Sequence, residues 1–571
     1  MAGMLSRVLG GVICAAAFAA APATATAGIG DSWGLRAAER LEARPATGDP
    51  LRMPLPARES GAPAELAALN AARRPVRALV GANSHAAVPE LRSTLERLGA
   101  RVRTFEATGI LAVRAPSGAT LVRALHGDPR VAYVERDRTV RAAADPYDTA
   151  DTNAGGSGIK FTWFYDEVNA ATALAAAGGG SRRRVGIIDT GADLSHPELA
   201  GRVARSYDVF SRGSEVSDIP GHGTYVAGLI SGVDGNGVGA KGVAGTTGLV
   251  VVRASLDGNF AISDVVLGIE GAIRRGADIL NMSLAGDSFT RSQARALVAA
   301  FLNDVLPIAA AGNQGANGNP LEFPAALLGG RRGARGIGLS VGATRPGGQP
   351  ASFTAHNDYV SLAAPGAGGS GCSHGVFSIL PRTSSATEWD DLESCSTVFA
   401  QPGLRFAYAE GTSFSAPIAA GIAALAWQVE RRLTSDQVAH VLTRAARGTG
   451  WNRYTGHGVV DGAAATALAR TYDVTAPRVR GKARRRGPRS VGVRLPRTRD
   501  RTEAGRERAG RVQYRIYASR NGGGYSLVAR SRKPFKRTVS LKGRRANRLA
   551  AVVCDGNGNC DAKRLGRFIP R

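Results

Sequence analysis

Several things are scarce in this 571-residue sequence. It has five cysteines and no C-x-x-C pair, which argues against a cysteine-based zinc site. No H-E-x-x-H zinc motif and no phosphate-binding P-loop occurs. Past the first residues no run reaches about 18 uninterrupted apolar side chains, so no membrane span is expected. Lysine is also rare: only seven of the 73 basic residues are Lys. Acidic residues number 46, leaving a formal net charge of +27. Such a charge suggests a polyanionic partner, although the excess of Arg and Ala equally fits a compositional bias. At 44% hydrophobic the chain can bury a sizeable core, and its length allows roughly three or four domains.

The N-terminus reads as a secretory signal over residues 1–27. Arg7 precedes an apolar run over 8–21, and Ala25-Thr26-Ala27 is an A-x-A cleavage pattern. Cys14 raises a lipoprotein alternative, but the bulky Ile13 before it opposes that cleavage. The four cysteines that remain are an even number, as an oxidising compartment favours. They allow three pairings, of which proximity favours Cys372 with Cys395 and Cys554 with Cys560.

Composition then changes along the chain. Residues 28–75 are rich in Ala, Arg and Pro and read as a low-complexity linker. Residues 76–145 alternate short strands with two amphipathic helices, at 88–98 and 117–125, as in a split β-α-β unit. Residues 146–474 carry apolar runs at 185–188, 249–252, 279–282 and 307–310, each flanked by helical or glycine-rich segments. This predicts an α/β domain with a parallel sheet. In 475–571 the alternation at Val512, Tyr514 and Ile516, with strand runs at 537–541 and 549–553, predicts a small all-β sandwich.

Four motifs fall in the α/β part: Asp189-Thr-Gly191 after a strand, Gly221-His-Gly-Thr224 opening a helix, Ala310-Ala-Gly-Asn313 after a strand, and Gly411-Thr-Ser-Phe-Ser-Ala-Pro417 opening a helix. A Ser hydroxyl is a weak nucleophile that needs a general base. His222 can take the Ser413 proton, and Asp189 can fix the imidazole tautomer. Ser413 at a helix start meets backbone N–H groups that favour developing negative charge. Pro417 is expected in the first helical turn. Asn313 can donate its side-chain N–H to an oxyanion.

With these motifs in the order Asp, His, Ser, the sequence resembles the subtilisin-like serine proteases over residues 160–470. The resemblance implies a subtilisin-like catalytic domain preceded by an inhibitory α+β propeptide. It implies a triad of Asp189, His222 and Ser413 with Asn313 as oxyanion donor. Ser283 and Leu284 match the edge that pairs with substrate backbone, and Ala311 and Gly312 match a wall of the specificity pocket. Ala285 stands where Gly is usual, and Phe414 where Met is common. The implied activity is hydrolysis of peptide bonds in proteins or peptides by a secreted, extracellular or envelope-associated endopeptidase. It would be made as a prepro-enzyme that cleaves itself within 138–160, with its own propeptide as inhibitor. The rival readings are a narrow processing protease and a polyanion-binding pseudo-protease. No cofactor is required for the chemistry. Asp234-Gly-Asn-Gly237 resembles the family's calcium loop, with Glu198 at a ligand position, so a structural Ca²⁺ has a place there; a plain glycine-rich turn is the other reading.

Other signals carry less. Gly237-Val-Gly-Ala-Lys-Gly242 matches G-x-G-x-x-G, but it follows a helix and precedes a strand, the reverse of a dinucleotide site. Residues 367–410 are longer than the family usually has there and carry Glu388, Asp390, Asp391 and Glu393. They read as a surface loop, or as one that borders the site and favours basic substrates. Residues 475–571 hold 29 Lys and Arg against five Asp and Glu, so +24 of the +27 belongs to the last module. Its densest run is Lys482-Ala-Arg-Arg-Arg486. That surface is either simply solvated or a tether to an anionic envelope polymer.

Overall fold

The computed structural model describes residues 69–72, 74–142, 163–234, 240–368, 375–382, 404–500, 502–506, 512–520, 525–541 and 547–570. The expected signal and most of the expected linker lie outside them. So do residues 143–160 of the expected junction, positions 235–237 of the expected calcium loop, Cys372 with Cys395, and the four acids between them.

The first unit is β1 (Val76–Ala82), α1 (Val88–Arg97), β2 (Arg101–Phe105), β3 (Ile110–Ala115), α2 (Gly118–Leu125), β4 (Val131–Arg136) and β5 (Thr139–Ala142). Four strands form an antiparallel sheet in the order β2-β3-β1-β4. Leu91 and Leu95 of α1 and Leu121 and Leu125 of α2 sit at helical spacing and cover one face. The unit starts earlier than residue 76. Leu69 is fully buried in its core, and the Ala72 carbonyl accepts the N–H groups of Gly118 and Ala119.

The central domain follows with β6 (Val185–Asp189), β7 (Val203–Asp208), α3 (His222–Ser231), β8 (Leu249–Arg253), β9 (Asn259–Ala261), α4 (Ile262–Arg274), β10 (Ile279–Met282), β11 (Leu284–Ala285), α5 (Arg291–Leu302), β12 (Leu306–Ala310), β13 (Leu339–Thr344) and β14 (Leu362–Pro365). A hairpin pair, β15 (Val376–Leu380) and β16 (Arg405–Ala409), leads to α6 (Thr412–Val429). Seven strands form one sheet in the order β14-β13-β12-β10-β6-β8-β7, with parallel pairing throughout. Strands β6, β10 and β12 are buried at every position, which is why they read as continuous apolar runs without alternation. Among the described residues one helix, α6, has the length and mean hydropathy (1.2) of a membrane span; 89% of it is buried inside the domain.

The first unit docks on α4 and α5. Leu79, Phe105 and Ile110 join the core formed by Val265, Val266, Leu297 and Ala300. The Glu135 carboxylate accepts the N–H groups of Arg291 and Ser292, both at 2.9 Å. Asp137 accepts the Ser263 N–H at 2.9 Å and its hydroxyl at 2.7 Å. Each carboxylate thus caps the start of a helix, where orphan N–H groups and the helix dipole favour an anion.

The last module contains β17 (Lys482–Gly487), β18 (Ser490–Leu495), β19 (Gln513–Arg520), β20 (Tyr525–Ser531), β21 (Phe535–Ser540), β22 (Asn547–Cys554) and β23 (Cys560–Phe568). Two antiparallel sheets, β17-β18-β21 and β20-β19-β22-β23, enclose Val491, Val493, Tyr514, Ile516, Leu549, Ala551 and Val553. The expected sandwich is present. The other face of the larger sheet packs Tyr517, Tyr525 and Val552 on Phe301 and Leu302 of α5. Cys554 and Cys560 are bonded to each other. The basic run 482–486 is itself a strand at a sheet edge, where charge opposes pairing with another chain.

Asp473, Asp500 and Asp555 converge where this module meets the central domain; one carboxylate oxygen of each lies within 4.8 Å of the others. Burial pushes Asp555 up to about 7, against hydrogen bonds from Asn559, and the charges of Asp500 and Asp473 add to the rise. The folded value lies above the unfolded one of about 4. Stability from this group is therefore fully present below about pH 4 and is lost as pH rises through about 7. With a chelator present, the melting temperature of the wild type should fall over that range, and Asp555→Asn should lack this part of the fall. Identical pH slopes in thermal melts of the two proteins would contradict the assignment.

Candidate active site

The site forms where strand ends meet helix starts. Asp189 is the last residue of β6 and is fully buried. His222 is the first residue of α3, preceded by Gly221 at φ 92°, a conformation that suits a residue without Cβ. His222 Nδ1 and Asp189 Oδ1 are 2.7 Å apart. An ionised carboxylate only accepts, so Nδ1 carries the proton and Nε2 is left as the basic nitrogen.

Two further residues hold this pair. Thr190 donates its N–H to Asp189 Oδ1 at 2.8 Å and accepts the Gly223 N–H on its hydroxyl at 2.9 Å. That hydroxyl donates to Asp218 Oδ1 at 2.7 Å. Asp218 also accepts the N–H groups of Gly221 and Thr224 and the Thr224 hydroxyl. It thereby caps α3 in place of Gly221 and locks the helix start to the strand end. Burial raises its pKa in spite of the hydrogen bonds from Thr224 and Thr190. Sequence reasoning missed Asp218. Its one signal was a carboxylate four residues before the histidine, the kind of residue that caps helix starts.

Ser413 is the second residue of α6 and is fully buried. Its Oγ donates to the Ser283 carbonyl at 3.2 Å rather than to His222. Phe414 packs its ring against His222, with centroids 5.8 Å apart, and against Tyr225 at 4.7 Å. Pro417 lies inside α6 as its sixth residue, so the expectation of a first-turn proline is corrected. Lacking an N–H, Pro417 cannot bond the carbonyl four residues earlier, which is that of Ser413. The Ser283 hydroxyl donates to that carbonyl instead, at 2.6 Å. The interior proline therefore frees the acceptor that ties Ser413 to the edge segment.

Asn313 follows β12. Its Oδ1 accepts the Thr412 N–H at 3.0 Å and the Thr412 hydroxyl at 2.7 Å. This sets the amide with Nδ2 as its donor, beside the helix start that carries Ser413. Gly312 donates to the Thr412 hydroxyl at 3.1 Å, so the Ala311–Gly312 wall and α6 are pinned to one side chain. The Ala311 carbonyl accepts the Tyr359 hydroxyl at 3.2 Å.

On the other side, β11 is part of a three-stranded antiparallel set in the order β11-β5-β9. Leu284 pairs with Ala142 and Ala285 with Arg141, while Val140 pairs with Phe260 of β9. The end of the first unit thus lies as a central strand along the edge segment that leads to Ser413. Val140 is buried against Gly286, where a Cβ would stand 2.6 Å from Val140 Cγ1.

The eight expected site residues therefore lie together where strand ends meet the starts of α3 and α6: Asp189, His222, Ser413 and Asn313, with Ser283, Leu284, Ala311 and Gly312. For the expected calcium site, Glu198 is fully buried and accepts the N–H of Ala240, three residues past Gly237, at 3.2 Å.

Residues 180–458 match the subtilase family. The chain is 30% identical over 308 residues to a thermophilic serine proteinase of Bacillus sp. (strain AK1), covering 53% of this chain and 65% of that protein. It is 31% identical over 351 residues to subtilisin E of Bacillus subtilis (strain 168), covering 60% of this chain and 76% of that protein. A solved protease structure from Pseudoalteromonas arctica PAMC 21717 aligns with 54% of this chain and 97% of its own, at 28% identity and a TM-score of 0.45. With that family match and three-quarters of subtilisin E spanned, the chain belongs to the subtilase family of serine-type endopeptidases.

Proposed function

We propose that the chain is the precursor of a secreted serine endopeptidase that removes its own inhibitory N-terminal unit. In this reading Ser413 Oγ attacks a peptide carbonyl and passes its proton to His222 Nε2. Asp189 holds the imidazole by the Nδ1 bond and stabilises the imidazolium. Asn313 Nδ2 donates to the oxyanion, a contact worth about 2.7–4 kcal/mol in the transition state. His222 then protonates the leaving amine, and water releases the acyl group from Ser413.

One observation carries the self-processing reading. β5 fills the lane between β9 and β11 as a substrate strand would, while Glu135 and Asp137 clamp the unit that bears it. The register also supports a particular bond. Ala142 pairs with Leu284, the neighbour of Ser283, whose carbonyl accepts from Ser413 Oγ, so we place the bond to be cut just past Ala142 in the sequence. The proposed junction is Ala143–Ala144. The wild-type protein should release a fragment ending at Ala143 by intact-mass analysis, and Ser413→Ala should remain a full precursor. Efficient processing of the purified Ser413→Ala protein would overturn self-cleavage.

The last module supports a second role. Lys482, Arg484 and Arg486 share the exposed face of edge strand β17. With +24 on the module, we propose that it holds the enzyme on an anionic envelope polymer. Retention on immobilised heparin should weaken steeply with salt, and K482Q/R484Q/R486Q should elute at clearly lower salt than wild type. Equal elution would remove this strand as the tether.

A further inference from the structure

Strands β10 and β12 pair only as far as Met282 and Ala309. Beyond that point their continuations part. Residues 283–286 turn to pair with β5 and, at Gly286, with Phe323. Residues 311–313 instead turn towards β13 and α6 through Ala311 N–H to the Val341 carbonyl and Gly312 N–H to Thr412. A crevice opens between the two segments at the carboxyl end of the sheet, where α/β folds bind ligands. Ser413 Oγ stands at its mouth, on the Ser283 carbonyl. The side chain of the residue whose carbonyl is attacked has this crevice to enter.

Glu322 closes the far end. It is 6% exposed and immediately precedes Phe323, whose N–H and carbonyl bond to Gly286 on one wall. Its carboxyl lies against the other wall, where a Cβ built on Gly312 would stand 2.0 Å from Glu322 Cδ and Oε1. Gly312 has φ +110°, so the position suits glycine on both counts. The Gln314 N–H donates to Oε1 at 3.2 Å, and the Glu322 N–H donates to the Tyr359 hydroxyl, which bonds Ala311. The backbone at 322–323 is thus tied to both walls, and the carboxyl is held by the Gln314 N–H.

We infer that Glu322 is a specificity-determining residue that selects Lys or Arg immediately before the scissile bond. The inference rests on the endopeptidase reading of the same site. A long cationic side chain can run down the crevice and meet the carboxylate in a charge-assisted hydrogen bond, strong where water is excluded. An apolar side chain there offers the carboxylate no hydrogen bond, and an acidic one adds repulsion. Ala143 precedes the proposed processing bond, but that bond is presented from within the same chain. Its high effective concentration replaces the contact that a separate substrate needs.

The test uses processed enzyme titrated with a fluorophosphonate and matched peptide amides that differ only in the last residue: Arg, Lys, Gln, Leu or Glu. Arg and Lys should exceed Gln in kcat/KM by about 10- to 150-fold, the range of a hydrogen bond to a charged group. Glu322→Gln should collapse the Arg-to-Gln ratio towards one. Glu322→Lys should move the preference to Glu, a reversal that a merely structural role would not produce. Wild type that cleaves Leu or Gln as fast as Arg, or a Glu322→Gln enzyme that keeps the full ratio, overturns the inference while titration still shows a working nucleophile. A protein that no fluorophosphonate labels defeats the endopeptidase reading itself, and the inference with it.

Discussion

The structure depends on one buried contact, the 2.7 Å hydrogen bond between His222 Nδ1 and Asp189 Oδ1. A carboxylate with no exposed surface is costly unless its environment donates to it. Here the donors come from the imidazole and from Thr190. To supply them, the end of the central strand β6 must meet the start of α3. Asp218 and Thr190 enforce that meeting by binding strand end and helix start together. The parallel sheet brings all its carboxyl ends to one edge, so β10 and β12 deliver Ser283 and Asn313 to the same place.

The same edge explains the first unit. Parallel strands that part at their ends leave backbone groups unpaired, and β5 satisfies them by completing a sheet with β9 and β11. The unit is held by apolar contact with α4 and α5 and by two carboxylates at helix starts. In the proposed reading, a strand in the substrate lane with caps behind it acts as both a ligand and an obstruction. That dual role joins the folding contacts of residues 69–142 to the chemistry at Ser413.

The sequence was most legible where each residue faces one demand. The apolar runs of β6, β10 and β12 are buried on both faces and read directly as parallel strands. The triad motifs stood at strand ends and helix starts, and the structure brings them together. What stayed hidden depends on partners distant in sequence. Asp218 resembles any surface acid until Thr190 and Thr224 are seen around it. Glu322 lies ten residues from Gly312, and only the fold sets the two in contact. Pro417 was misplaced because the small and hydroxyl residues before it mark no sharp helix boundary, and its use appears only with Ser283. β17 has basic residues on its exposed face and no apolar alternation to betray a strand.

The account stands on the claim that Asp189 fixes the imidazole so that Nε2 is the base. The kcat of Asp189→Asn against a peptide amide tests this most directly, with folding checked by circular dichroism. An Asn side chain keeps the shape but can donate to Nδ1, which selects the wrong tautomer. The account predicts a fall of about 10⁴-fold in kcat with the fold intact. A folded Asp189→Asn enzyme with kcat near that of wild type would contradict it.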